Sequence, residues 1–91
     1  MLLRPLNDDG ALAGTGTLTC KSRLFAVAIT TDGTNAATVV VRKTDASGAQ
    51  KLDYSTLDGD FLAGPFALDS ETLYYSVTGT GASAQFFEWV S

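Results

Sequence analysis

Short stretches in which apolar side chains occupy every second position constrain the fold of this chain more than any other feature. In the segment 72–78, for example, Leu73, Tyr75 and Val77 take alternate positions, which is the pattern of a β-strand with one buried face. Nowhere do apolar residues recur at helical spacing over three turns, and the glycine and threonine content disfavours helix. The sequence therefore predicts an all-β fold.

The same pattern predicts strands along most of the chain, separated by turns at the short spacing typical of sandwiches and barrels. The predicted strands cover 15–21, 23–31, 36–44, 51–57, 61–68, 72–78 and 84–91. Residues 1–14 are interpreted as an N-terminal arm or first edge strand, and residues 15–91 as the body. At 91 residues the chain has room for one domain. We expect a small antiparallel β-sandwich or jelly-roll-like barrel of about seven or eight strands.

Two of these strands carry hints of their position in a sheet. The strand 23–31 has the bulky residues Phe25, Val27 and Ile29 on one face and mainly small residues on the other. It is predicted to be central, with a close neighbour over its alanine face. Gly64-Pro65 interrupts the strand 61–68 and predicts an edge or a bend there.

A weak internal repeat links the stretches 33–38 (GTNAAT) and 79–84 (GTGASA). Asp, Gly and Asn tolerate the backbone conformations of tight turns. The repeat predicts two similar hairpins, one in each half of a sandwich. The alternative is a chance match between stretches rich in Thr, Gly and Ala.

Composition excludes several functional classes. The net charge is −4, from ten acidic and six scattered basic residues, whereas nucleic-acid binding requires a concentrated basic face. No apolar run approaches the roughly 20 residues that span a bilayer, and the start lacks a signal-peptide pattern. We therefore expect no nucleic-acid or membrane partner, and a protein made and used inside a cell or in a particle assembled there. Only 18% of residues are charged, so much of the surface is neutral and suited to being covered by protein.

The sequence offers little for catalysis or metal binding. Cys20 is the one cysteine and the chain has no histidine, so neither a Cys/His zinc site nor a Cys–His nucleophile is available; we interpret Cys20 as a small buried residue. The pairs Asp8/Asp9 and Asp58/Asp60 could ligate a cation, but turns use Asp for their own hydrogen bonds. We expect no catalytic residue, no metal and no cofactor.

Aromatic residues near the C-terminus suggest an interaction surface. In the strand 84–91, Phe86 and Val90 point to one side while Phe87 and Trp89 point to the other, and Tyr74 likewise points away from the predicted core. Either a second layer or the N-terminal arm covers these rings, or they form a subunit or partner interface, where Trp and Tyr are common anchors. Tyr74, Phe87 and Trp89 are therefore candidate interface residues.

The stretch LFAVAITTDGTNAATVVV over 24–41, followed by LYYSVTGTGA over 73–82, resembles small structural proteins of tailed bacteriophages, and the similarity covers most of the chain from Gly14 onward. It is similar to the small β-sandwich proteins of virions, among them capsid decoration or cement proteins. Such proteins sit on the outer shell, often as trimers, and bridge neighbouring capsomers.

The resemblance implies a non-enzymatic virion protein, made in the host cytoplasm and located on the capsid surface. Its implied partners are the major capsid protein and further copies of itself, with a homotrimer favoured. Under this hypothesis the arm 1–6 is an interaction element, and the alternative is ordinary strand pairing within the domain. The candidate interface residues in the arm are Leu2, Leu3, Arg4 and Leu6.

Two other functions remain open at this point. A tail or fibre module could recognise a host-surface glycan or protein, with Tyr54, Tyr74 and Trp89 as candidate rings for stacking on sugars. An enzyme fragment or small hydrolase is the weakest alternative, because the chain lacks histidine and any Gly-x-Ser-x-Gly nucleophile motif.

Overall fold

Alternating apolar residues form strands throughout the computed structural model, which describes residues 2–7 and 10–91. The described residues contain no helix. The strands are β1 (Leu2–Pro5), β2 (Gly14–Thr19), β3 (Leu24–Thr30), β4 (Ala37–Lys43), β5 (Gln50–Thr56), β6 (Asp60–Ala67), β7 (Thr72–Thr78) and β8 (Ser83–Val90). The predicted all-β fold is confirmed, and the part of the chain that the structure describes contains eight strands.

The strands form two four-stranded antiparallel sheets that pack face to face. Sheet A has the order β1-β8-β3-β6, and sheet B has the order β2-β7-β4-β5. Two such sheets joined in this order form an eight-stranded jelly roll. Among the described strands, only β4 and β5 are consecutive in sequence and paired with each other.

The two related turn sequences are therefore not hairpins, and that prediction is wrong. The first joins β3 in sheet A to β4 in sheet B, and the second joins β7 in sheet B to β8 in sheet A. The two crossovers touch, because a Cβ on Gly81 would lie 2.8 Å from the Cβ of Asp32. Asp32 Oδ1 accepts hydrogen bonds from the backbone N–H groups of Thr34 and Asn35 at 2.8 and 2.7 Å. Turn residues set the backbone conformation of the reversal, but the sheet that the next strand joins depends on its contacts with other strands.

The core lies between the sheets and consists mainly of the inward residues of the strands, with Cys20, Leu68 and Ala82 from the connections. Phe25, Val27 and Phe86 of sheet A and Val39 and Leu73 of sheet B are fully buried. β3 lies between β8 and β6, so its predicted central position is confirmed. β6 is an edge strand whose register against β3 shifts near Gly64-Pro65, as predicted.

Candidate interaction surfaces

Among residues 2–7 and 10–91, no charged residue lies on the outward side of the strands of sheet A. We call this surface the outer face of sheet A, and its residues alternate along the strands with the residues that point towards sheet B. They are Leu3, Pro5, Leu24, Ala26, Ala28, Thr30, Phe61, Ala63, Ala67, Ser83, Gln85, Phe87 and Trp89. The surface is thus uncharged and largely apolar across all four strands, with Thr30, Ser83 and Gln85 as its polar residues.

Aromatic rings on this face are held in place by one another and by the backbone. Trp89 Nε1 donates a hydrogen bond to the carbonyl of Ala63 at 2.7 Å. Because β3 separates β8 from β6, the indole must extend across β3, and Ala26 on the outward side of β3 is fully buried. This bears out the close neighbour predicted over the alanine face. Phe61 and Phe87 meet edge to face with centroids 6.2 Å apart, yet Phe61 stays 48% exposed.

The N-terminal segment is an edge strand of sheet A. All four residues of β1 pair with β8, from Leu2 opposite Val90 to Pro5 opposite Phe87. Leu3 points outward beside Trp89, whereas Leu2 lies on the other side of the strand and is 69% exposed. Ordinary strand pairing therefore describes this segment, and an interaction role for it stays a prediction.

Arg4 holds β1 to the sandwich through a buried carboxylate. Its Nε and Nη2 donate to Glu88 Oε2, the Nε bond measuring 3.0 Å, and the backbone N–H of Ser22 donates to Glu88 Oε1 at 3.1 Å. Burial raises the pKa of Glu88, but the Arg4 and Ser22 hydrogen bonds and the Arg4 charge outweigh it, so the net pKa is lowered. The Arg4 side chain is 61% exposed and that of Glu88 is 2% exposed. Arg4 thus already serves an internal ion pair.

A second anchor lies directly after β1. The backbone N–H of Leu6 donates to the carbonyl of Phe86 at 2.8 Å, and Leu6 packs against the core. The buried Asn7 accepts the N–H of Phe86 on Oδ1 at 2.9 Å and donates from Nδ2 to the carbonyl of Gly10. Leu6 therefore packs within the domain, and an interface role for it stays a prediction.

The remaining candidate rings lie on other surfaces. Tyr74 is on the outward side of sheet B, with Thr17 and Arg42 as its cross-strand neighbours. Tyr54 is on the edge strand β5 and packs against the core. Its hydroxyl donates a hydrogen bond to Asp60 Oδ2 at 2.6 Å, and this bond raises the pKa of Tyr54. The structure brings Leu3, Phe87 and Trp89 together, but it separates Trp89, Tyr74 and Tyr54.

Cys20 and Asp60, the described candidates for nucleophilic or metal chemistry that make side-chain contacts, are engaged within the fold. Cys20 is fully buried, and burial raises the pKa of its thiol, so its predicted role as a small buried residue is confirmed. Both carboxylate oxygens of Asp60 accept hydrogen bonds, from Tyr54 and from the N–H of Phe61. Asp8 and Asp9 lie outside the described residues. Within 2–7 and 10–91 no group of three metal-ligating side chains is present.

Sequence reasoning missed three residues that organise these surfaces, namely Glu88, Asn7 and Phe61. Glu88 carried a usable signal, because it lies between Phe86 and Val90 on the inward side of a predicted strand, and a buried carboxylate requires a partner. Comparison with protein families, curated proteins and solved structures finds no match for this chain.

Proposed function

We propose that this chain is a virion structural protein of a tailed bacteriophage, a capsid decoration protein that binds the major capsid protein through the outer face of sheet A. The single observation that carries the proposal is the absence of charge from that face. The chain has ten acidic and six basic residues, yet none of those within 2–7 and 10–91 lies on the outward side of a strand of sheet A.

Such a face is suited to being covered by another protein. Covering a charged group requires its desolvation, whereas covering apolar and hydroxyl groups costs much less. Rigid aromatic rings are frequent centres of interfaces because they bury a large area at little cost in conformational entropy. Phe61, Phe87 and Trp89 provide three such rings, with Leu3 beside them.

The choice of partner rests on the resemblance. The jelly roll is found both in viral capsid proteins and in lectin domains, so the fold alone does not choose between them. The stretches 24–41 and 73–82 favour a virion protein, located on the capsid surface after synthesis in the host cytoplasm. In this role the chain needs no catalytic residue, metal or cofactor. The homotrimer that the resemblance implies stays a prediction.

Capsids of the encoding phage, prepared without this protein, provide the test. Wild-type protein should bind them and raise the temperature at which the shell ruptures, while Phe61→Asp should bind at least about tenfold more weakly because it places a charge in the covered face. Leu57→Asp is a matched control, since Leu57 is 50% exposed like Phe61 but lies in the connection between β5 and β6, not on a strand of sheet A.

Each outcome has a definite meaning. Failure of the wild-type protein to bind would refute the decoration function. Equal binding by the wild type, Phe61→Asp and Leu57→Asp would remove the outer face of sheet A from the mechanism. Deletion of β1 is a poorer test, because it would leave the Glu88 carboxylate buried without Arg4.

Recognition of a host-surface glycan is the second candidate. The observation in its favour is that Tyr74 neighbours Arg42 on the outward side of sheet B, since a ring beside a charged donor can both stack on and hydrogen-bond a sugar. Trp89 and Tyr54 cannot join that site from their own surfaces. A glycan array with wild-type protein and Tyr74→Ala tests this candidate, and binding that is unchanged by the substitution would exclude the site.

A further inference from the structure

The free edge of β2 is the least protected of the four sheet edges. β1 is four residues long and ends in Pro5, β6 is interrupted at Gly64-Pro65, and β5 carries Lys51 and Asp53. Charges, prolines, short strands and irregularities are the devices by which edges avoid pairing with another chain. β2 carries no charge and no proline, and it is a six-residue strand, GTGTLT, paired with β7 without a register shift.

The backbone groups that β2 presents at this edge can be identified. The N–H of Cys20 donates to the carbonyl of Glu71 at 2.7 Å, so Cys20 is hydrogen-bonded towards the β7 side of the sheet. Hydrogen-bonding direction alternates along an antiparallel strand. Thr15, Thr17 and Thr19 therefore direct their N–H and C=O groups away from β7, towards the open edge, and all three residues are exposed.

We propose that β2 pairs antiparallel with β2 of a second copy of this chain, about a twofold axis at Thr17, joining the two copies of sheet B into one eight-stranded sheet. In this register Thr17 lies opposite Thr17 of the other copy, and Thr15 lies opposite Thr19. Each copy presents three N–H groups at the edge, those of its three threonines, and all six in the pair would then find carbonyl partners.

The side chains are complementary in this register. On the outward side every opposed pair is Thr with Thr, a favourable cross-strand combination. On the inward side Gly16 lies opposite Leu18, so the residue without a side chain faces the bulky one. Charge also favours this contact, because β2 carries none although the chain has a net charge of −4, and two copies meeting here oppose no like charges within the paired strands.

The contact is isologous, so it closes at two copies. Sedimentation velocity over a range of concentrations should show a species of twice the monomer mass. Thr17→Lys should weaken this association at least about tenfold, because it places two like charges directly opposite each other at the axis. Ser55→Lys is the matched control, since Ser55 is an exposed hydroxyl residue on β5, the other edge strand of the same sheet, and it should leave the dimer unchanged.

Amide hydrogen exchange tests the register without any substitution. In wild-type protein the amides of Thr15, Thr17 and Thr19 should exchange more slowly as concentration rises, while those of the β5 edge should not change. A monomer at all concentrations up to about 1 mM, a trimer, a dimer unaffected by Thr17→Lys, or β2 amides insensitive to concentration would each overturn the proposal. All of these readouts use the isolated protein, so they stand apart from binding to capsids.

Discussion

Replacing Arg4 by methionine should change the effect of the buried Glu88 carboxylate, which stabilises the fold when paired with Arg4 and should destabilise it without Arg4. Methionine keeps much of the length of the arginine side chain but removes every donor. In the variant, Glu88 would stay buried with only the backbone N–H of Ser22 as a close donor. The variant therefore tests how much the ion pair between Arg4 and Glu88 contributes to holding β1 against β8.

The size of the effect follows from the exposure of the two partners. Breaking a fully buried ion pair costs about 3–5 kcal/mol, whereas exposed pairs contribute about 0–1 kcal/mol. Glu88 is buried, but the Arg4 side chain is 61% exposed to screening water, so we expect Arg4→Met to lower the free energy of unfolding by about 1–3 kcal/mol. A chain of this length has a total stability of about 5–14 kcal/mol, so the variant should still fold.

The pH dependence of stability gives a sharper test, because the contribution of Glu88 to it should have opposite signs in the wild type and in Arg4→Met. In the wild type the folded pKa of Glu88 lies below its ordinary value of 4.5. The stability that this carboxylate contributes is therefore present above pH 4.5 and is lost as the pH falls through the folded pKa. Without Arg4, burial should raise the folded pKa above the unfolded one, and the contribution of Glu88 should then increase stability as the pH falls.

Urea unfolding between pH 3 and 7 measures both effects. Wild type and Arg4→Met should each be compared with the same protein carrying Glu88→Gln, so that the difference within each pair reports Glu88 and the other carboxylates cancel. A loss well below 1 kcal/mol for Arg4→Met, or the same sign of pH dependence in both pairs, would refute the argument that Arg4 compensates the burial of Glu88.

The other predictions concern packing, the thiol and the anchor after β1. Gly48→Ala should destabilise the fold by about 2 kcal/mol or more, because its Cβ would lie 1.6 Å from the carbonyl oxygen of Lys43. Gly33→Ala should cost only about 1 kcal/mol, because Gly33 has open space around it but a φ of +85°. Equal losses of stability in thermal melts of the two variants would contradict the steric explanation. Cys20 should resist a thiol reagent at pH 8 until the protein unfolds, since burial raises its pKa, so rapid labelling of native protein would show the site to be open. Asn7→Ala should cost about 1–3 kcal/mol by leaving a buried N–H of β8 without its acceptor, and chemical denaturation that matches the wild type would exclude this role.

Local patterns were enough to predict the strands and their faces. Alternation identified Leu73, Tyr75 and Val77 as inward residues, and all three are buried. The contrast between bulky and small residues identified β3 as central, and Gly64-Pro65 indicated an edge or a bend in β6, which is an edge strand. The face that a residue occupies and the interruption of a strand depend on the two-residue period of the strand and on backbone chemistry, and both are determined by a few neighbouring residues.

Only the tertiary structure decided which strands meet. The turns at 31–36 and 79–82 connect different sheets instead of forming hairpins, because the pairing of a strand depends on long-range contacts that no turn sequence encodes. The same is true of the surfaces. Alternation showed that Phe87 and Trp89 share a face, but only the order β1-β8-β3-β6 placed Leu3 and Phe61 around them and left Tyr74 on the opposite side. Arg4 and Glu88 are 84 residues apart in sequence, so their ion pair exists only because the first and last strands are neighbours in sheet A.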